Sequence, residues 1–395
     1  MIAPVLLLFL LWFGVATVWV EGLWAVSLLE AGAFLTFSWM LVNSVRLGTH
    51  QRVPWPAWCL AAISGWGFLQ AALGWSATPA ETEWTALYWL AAACFVCLGA
   101  AMPDRRQFVQ ALLWSGAVMT VLALAQLYTS GGKILWFVAT RYNDRVFGTF
   151  ANYNHYACFI ELVFPLALWR TFKPLPDWWI YGGVSALMYG SVVASTSRSG
   201  GVLVTLELVV VVAQALYRYR GDRQALRKAS AVLGMLVLFS LAAGYQDIWQ
   251  RFLLPDPFQG RREFQQSTIR MIQARPLTGF GLGSWTFVYP AYAIADFGVI
   301  ANHAHSEWLQ WAAEGGLGVP AVMLALFFLA LRRSLSSAVG VGLVFVLVHS
   351  LVDYPLVRLG LGCWWFVMLG LVARPEIGEP AERHHRRRGV SRSID

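Results

Sequence analysis

Apolar runs long enough to cross a bilayer recur along almost the whole chain, and this limits the fold more than any other feature. A hydrocarbon core about 30 Å thick needs ~20 apolar residues of helix, within a range of about 17–25. Twelve candidate segments can be traced, near 3–20, 22–45, 55–75, 84–102, 107–129, 151–170, 178–196, 200–217, 229–246, 305–331, 335–352 and 358–373. Of the 395 residues, 58% are hydrophobic and only 13% charged. Soluble domains carry roughly a quarter charged residues, so a soluble enzyme, a disordered chain and a coiled coil are all excluded. Many of the 21 tryptophans sit at the ends of the runs, where amphipathic rings settle in a bilayer. The expected fold is an all-α, polytopic membrane helix bundle. A single transmembrane domain spans 1–373, with a long outer loop near 247–302 between the ninth and tenth spans. A basic cytoplasmic tail, 374–395, is expected to be disordered. The opening MIAPVLLLFLLWFGVATVWV lacks the basic start and cleavage site of a signal peptide and is expected to remain as the first span.

Basic residues orient the bundle, because Lys and Arg stay on the cytoplasmic side. With the N-terminus inside, the inner loops and the tail hold 19 of the 29 basic residues, and both termini are cytoplasmic. The net charge of +8 is then a topology signal with attraction to anionic lipid headgroups, not a nucleic-acid footprint. The other ten, Lys133, Arg141, Arg145, Arg198, Arg251, Arg261, Arg262, Arg270, Arg275 and Arg358, fall outside. Positive charge gathered there calls for an anionic partner, and the planar fork of Arg suits phosphate.

Arg198 stands in STSRSGG between two spans, with little loop to carry it into water. A charge near hydrocarbon is costly unless paired, so it is a candidate for function; the simpler alternative is that it snorkels to the headgroups. Arg261 and Arg262 lie in a polar loop, where solvation explains them as well as a ligand does. NHAHSEWLQWAAEGGLG at 302–318 leads into the tenth span. It sets His305 near a helix N-terminus, with Ser306 as the expected cap and Glu307 in the first turn. The helix dipole and nearby arginines would lower the imidazole pKa and favour a neutral ring able to accept a proton, as a general base must. For His303 a headgroup-level interface role is the simpler reading. Glu161, Glu207 and Asp353 lie within or near spans and either mark a proton path or pair inside the bundle. Asp353 is placed to orient Arg198 or Arg358.

Other patterns carry less. Cys94 and Cys97 form a C-x-x-C inside AAACFVCLGA, which reads as two packing residues on one helix face. Metal ligation near His305 is disfavoured: there is no H-x-x-x-H, no D-x-D and no adjoining cluster. GFGLG at 279–283 lacks the rest of a dinucleotide loop, and DFG at 296–298 lacks the other kinase motifs.

Four stretches together resemble the O-antigen ligase family of bacterial inner-membrane proteins, which includes related polymerases and protein O-oligosaccharyltransferases. They are RVFGTFANYNHYACFI at 145–160, STSRSGG at 195–201, GRREFQQSTIRMIQARPLTGFGLGSW at 260–285 and NHAHSEWLQWAAEGGLG at 302–318. HSLVDYPL at 349–356 is a fifth. The resemblance implies a metal-independent glycosyltransferase without cofactor. Its donor is an undecaprenyl-pyrophosphate-linked glycan and its acceptor lipid A–core, joined at the periplasmic face. It also implies that His305 is the essential histidine and that Arg198 and Arg261 bind the pyrophosphate. Arg262 is hard to separate from Arg261, because the aromatic residue expected after the loop arginine is offset to Phe264. Arg145 is a weaker candidate by position. A polymerase using the same donor chemistry is the nearest alternative, and a polyprenyl-glycan flippase or transporter is the alternative of another class. Nothing in the sequence sets an oligomeric state.

Overall fold

A computed structural model describes residues 2–49, 52–139, 146–253, 260–296, 298 and 300–373. Among the described residues there are sixteen α-helices and one small hairpin. The first five helices are α1 (Ile2–Ala16), α2 (Leu23–Arg46), α3 (Trp55–Ala72), α4 (Pro79–Ala100) and α5 (Arg105–Thr129). An antiparallel pair, β1 (Lys133–Ile134) and β2 (Val138–Ala139), precedes α6 (Tyr153–Phe172), α7 (Trp178–Ser195), α8 (Arg198–Arg218) and α9 (Arg223–Ala242). A cap follows, made of α10 (Tyr245–Phe252), α11 (Arg261–Ala274) and α12 (Trp285–Val288). The chain closes with α13 (Glu307–Gly315), α14 (Gly318–Ser334), α15 (Ala338–His349) and α16 (Leu359–Ala373).

Five of these helices, α2, α4, α5, α8 and α9, are long and apolar enough to cross a membrane, and α1, α15 and α16 are shorter apolar helices. The protein is an all-α membrane protein. Lipid cannot satisfy backbone groups, so the bundle closes its hydrogen bonds within helices. α6 and α16 are buried along almost their whole length, while α8 and α9 leave Val209, Leu233 and Leu238 exposed, as lipid-facing helices do. Small residues let the backbones meet closely. A methyl group on Gly99 would fall onto the carbonyl oxygen of Val367, one on Gly370 onto that of Val96, and one on Gly360 onto that of Gly14. α16 is thereby seated against α1 and α4.

The two ends of the bundle differ. At one, Lys228 Nζ donates to the Lys173 carbonyl at 2.7 Å and Gln214 Nε2 to that of Ser334 at 3.0 Å. At the other, the connections around 146–152, 196–197 and 350–358 meet beneath α10 and α11. The expected amphipathic helix in the long loop is α11. The span expected over 305–331 is instead two helices. Gly316 (φ 74°) breaks it where the 276–283 loop packs in: Leu317 N–H bonds to the Pro276 carbonyl at 2.9 Å, and a Cβ at Gly316 would strike the Leu277 carbonyl. The basic tail and Arg145 lie outside the described residues.

Candidate active site

Asp353 is the hub. It lies in the short connection between α15 and α16 and is fully buried. Its carboxylate accepts a short hydrogen bond from Asn154 Nδ2 on α6 and a 3.0 Å bond from the Tyr354 N–H. Arg261 Nη2 stands 3.6 Å from Oδ2, and Nη1 donates to the Val352 carbonyl at 2.9 Å. His305 Nδ1 and His155 Nε2 each stand 4.0 Å from Oδ1, too far for a hydrogen bond. Burial alone would push this carboxyl up; Arg261 overrides it and holds the carboxyl below its ordinary value. The pairing of Asp353 with Arg198 or Arg358 read from the sequence is thus replaced by one with Arg261. α11 starts at Arg261, behind Gly260 in the left-handed region, and so aims that side chain at the 350–358 connection.

His305 precedes α13 by one residue. It sits in the left-handed region at φ 52°, a conformation His visits more readily than most side chains but that still costs on the order of 1 kcal/mol. Its surroundings hold it there. The Phe264 ring stacks on the imidazole at 5.8 Å and 24°, Tyr354 meets it edge-on at 5.2 Å, and Gln265 Nε2 donates to its carbonyl at 3.2 Å. The offset aromatic in the loop motif is therefore in direct contact with the histidine. Burial pulls the imidazole pKa down to about 4; Asp353 acts the other way, and Arg261 adds to the lowering. Ser306 occupies the cap position of α13, but its side chain makes no capping bond. The first turn is held by the Glu307 N–H, which bonds to the carbonyls of Ser350 and Asp353 at 2.9 and 3.2 Å. His303 stacks on Tyr354 at 4.0 Å. Burial, reinforced by Arg358, lowers its pKa to about 3.

Arg198 joins this hub through its neighbour. Thr196 ends α7 in the left-handed region, and the Ser197 hydroxyl accepts the Gly200 N–H at 3.1 Å to start α8. The same hydroxyl donates to Asn154 Oδ1 at 2.7 Å, so Ser197, Asn154 and Asp353 form one chain. Arg198 Nη1 donates to the Arg251 carbonyl at 3.1 Å. Arg251 in turn donates to Thr196 Oγ1 at 2.9 Å and the Tyr153 hydroxyl at 2.7 Å, with its guanidinium 4.7 Å from the Tyr153 ring centroid. Arg261 and His305 thus flank Asp353, and the Ser197–Asn154–Asp353 chain anchors the helix start at which Arg198 stands. Arg262 follows Arg261 on α11 and makes none of these contacts to Asp353.

Sequence reasoning missed Asn154, Arg251 and Tyr354 as members. Asn154 and Tyr354 lie inside quoted family-like stretches, but no local pattern marks them. It also missed what GFGLG does. The Gly283 N–H bonds to Glu314 Oε2 at 3.0 Å and the Trp285 N–H to Oε1 at 3.3 Å. The glycine loop cradles a carboxylate of its own chain. Below the hub, Cys158, Glu161 and His349 bring one ligand atom each to within 4.8 Å, the described group best able to hold a metal ion. His349 Nδ1 lies 2.8 Å from Glu161 Oε1 and 3.1 Å from Cys158 Sγ, and Nε2 lies 2.8 Å from Ser199 Oγ, so the group also stands as a hydrogen-bonded knot. Cys94 and Cys97 are buried thiols, as packing residues would be.

No curated protein matches the chain. A family model described as O-antigen ligase matches residues 183–319. The match runs from within α7 to the start of α14 and takes in Arg198, Arg261 and His305; Asn154 and Asp353 lie beyond it. The match bears out, over residues 183–319, the family resemblance read from the sequence.

Proposed function

We propose that the protein is a metal-independent, inverting glycosyltransferase. It moves a glycan from an undecaprenyl-pyrophosphate donor to an acceptor hydroxyl at the periplasmic face of the bacterial inner membrane, as an O-antigen ligase attaching O-antigen to lipid A–core. Twelve spans with both termini cytoplasmic put the Asp353 hub on the periplasmic side. The observation that supports the reading is that one buried carboxylate, Asp353, pairs with Arg261, has His305 4.0 Å away and is linked through Asn154 and Ser197 to the helix start that carries Arg198.

The chemistry follows from the charges. An imidazole with pKa near 4 is neutral at pH 7 and able to take a proton. Nδ1 faces Asp353 at 4.0 Å, and in the tautomer that carries hydrogen on Nδ1 the other nitrogen, Nε2, is the acceptor. His305 Nε2 removes the proton from the acceptor hydroxyl as its oxygen bonds to the anomeric carbon. The bond from that carbon to the pyrophosphate oxygen breaks, and its electron pair leaves with the polyprenyl pyrophosphate. Attack opposite the leaving group inverts the centre. Arg198 and Arg261 stabilise the departing charge with N–H groups set in place beforehand. Arg261 is 26% exposed, so part of its guanidinium edge stays open to a phosphate. Asp353 orients His305 and steadies the imidazolium that forms.

The test is transfer by the purified protein in proteoliposomes, with lipid-linked glycan and lipid A–core supplied and EDTA present. Wild type should make product. His305→Ala should lose about 10²–10⁴-fold, the usual worth of a positioned base, and Arg198→Ala should lose transfer as well. Full transfer by His305→Ala defeats the assignment. In cells lacking the gene, loss of all capped lipopolysaccharide bands fits ligase, whereas a single repeat on the core fits polymerase.

A further inference from the structure

Below Asp353, three side chains that the transfer chemistry does not use converge inside the bundle. Cys158 and Glu161 stand three residues apart on α6 and so lie on one helix face. His349 closes α15 opposite them. All three are fully buried, and their ligand atoms lie within 4.8 Å of one another. Two features point beyond an ordinary hydrogen-bonded pair. His349 Nδ1 is 2.8 Å from Glu161 Oε1 and 3.1 Å from Cys158 Sγ. An imidazole nitrogen offers one hydrogen or one lone pair, so Nδ1 cannot make a full bond to both. Glu161 Oε2 is buried and has no hydrogen-bond partner among the described residues. A carboxylate oxygen left in that way is costly. One ion set among these atoms removes both deficits.

The donors set the ion. A thiolate, an imidazole and a carboxylate suit Zn²⁺, whereas Mg²⁺ and Ca²⁺ take oxygen ligands. Glu161 through both oxygens, with Cys158 Sγ and His349 Nδ1, supplies four donor atoms. At zinc–ligand distances of about 2.0–2.3 Å the two Nδ1 contacts open by about half an ångström, which small side-chain rotations supply. The charge also closes. Zn²⁺ displaces two protons, the thiol's and the one shared by Glu161 and His349, so the buried net charge is unchanged. Glu207 on α8 lies within electrostatic reach of Glu161, a second buried carboxyl that favours a cation here. His349 Nε2 is 2.8 Å from Ser199 Oγ, an acceptor that takes the Nε2 hydrogen and leaves Nδ1 bare for a metal. We infer that Cys158, Glu161 and His349 form a structural zinc site that clamps α6 to α15 beneath the hub. The His349 carbonyl accepts the Asp353 N–H at 3.1 Å, so a fixed His349 steadies the connection that carries Asp353. The ion touches no substrate and enters no step of the transfer. Its ligands are fully buried, so it is taken up as the chain folds, and EDTA in the transfer assay leaves it in place.

The experiment uses the untagged full chain, expressed in minimal medium with Zn²⁺ or Co²⁺, washed with EDTA and placed in lipid nanodiscs. Elemental mass spectrometry should find about one zinc per chain. X-ray absorption of the wild type should show a sulfur neighbour at about 2.3 Å, with nitrogen and oxygen at about 2.0–2.2 Å. The cobalt protein should show a thiolate-to-cobalt charge-transfer band. Cys158→Ser should abolish that band. Both Cys158→Ser and His349→Gln should lose most of the metal, whereas Cys97→Ser should keep the metal and the band. Wild type carrying only traces of zinc overturns the site. So does a zinc shell without sulfur, and so does full metal content in Cys158→Ser or His349→Gln. The wild-type X-ray spectrum decides the ligand set even where a variant fails to fold. None of these readouts depends on transfer: a protein that holds zinc through Cys158 yet makes no product fails the transfer reading and keeps the metal site.

Discussion

Replacing Asp353 by Asn keeps the shape of the hub and removes its charge. In the proposed reaction His305 becomes an imidazolium as it takes the acceptor proton, and Asp353 Oδ1 stands 4.0 Å from Nδ1. Opposite unit charges at that separation attract by about 4 kcal/mol at an effective dielectric constant near 20. His305 is 26% exposed, which screens part of this, so about 2–4 kcal/mol should be lost from the transition state. That corresponds to roughly 30- to 1,000-fold in kcat. An amide also deprives Arg261 of its counter-charge and forces Asn154 to face a possible N–H, so a control for fold is needed. In the His305→Ala background there is no imidazolium to stabilise, and Asp353→Asn should then change the residual rate by less than threefold. The assay is single-turnover transfer with both substrates saturating, alongside thermal unfolding of each variant. A well-folded Asp353→Asn protein within threefold of wild type would refute the reasoning. So would a full additive loss in the double variant.

Three further outcomes follow, two from His305 and one from Glu314. Because the His305 pKa is about 4 against an ordinary 6.5, transfer should be nearly flat from pH 8 to 5.5 and fall as the pH drops through about 4; a pH–rate profile with a midpoint near 6.5 contradicts this. The unfolded chain binds the extra proton in that window, so stability contributed by the neutral, buried imidazole is complete above about 6.5 and declines as the pH falls toward 4, which unfolding scans between pH 4 and 7 will read. Glu314→Ala removes the carboxylate that accepts from Gly283 and Trp285 N–H; it should destabilise the loop by about 1–3 kcal/mol for each donor left buried, seen as faster hydrogen exchange across 279–285 with exchange in α16 unchanged.

The helical class was legible because lipid imposes it: runs near 20 residues with few charges have few other folds available. The concentration of polar stretches in the last two thirds also singled out Arg261 and His305, which the structure brings to the same carboxylate. Three things were hidden. The break at Gly316 depends on the Leu277 carbonyl packing against it, a contact that no periodicity in 305–331 reports. The partner of Asp353 was read as Arg198 or Arg358 from nearness in topology, whereas α11 folds back across the bundle end and delivers Arg261. The Asn154–Asp353 bond joins residues 199 apart in sequence, and such a pairing leaves no local trace. GFGLG, read as a chance match to a nucleotide loop, serves the fold instead: with Trp285 it holds the carboxyl group of Glu314 through backbone N–H groups.

The Ser197–Asn154–Asp353 chain also has a bearing on biosynthesis. Its members sit on α6, at the start of α8 and beyond α15, so a nascent polypeptide lacks the carboxylate until the segment after α15 has been made. Any fragment released earlier leaves Asn154 and Arg261 without their common acceptor, and the Arg198 helix start without its anchor. Closure of the hub therefore has to follow the making of α15, long after α6 and the start of α8 have been made.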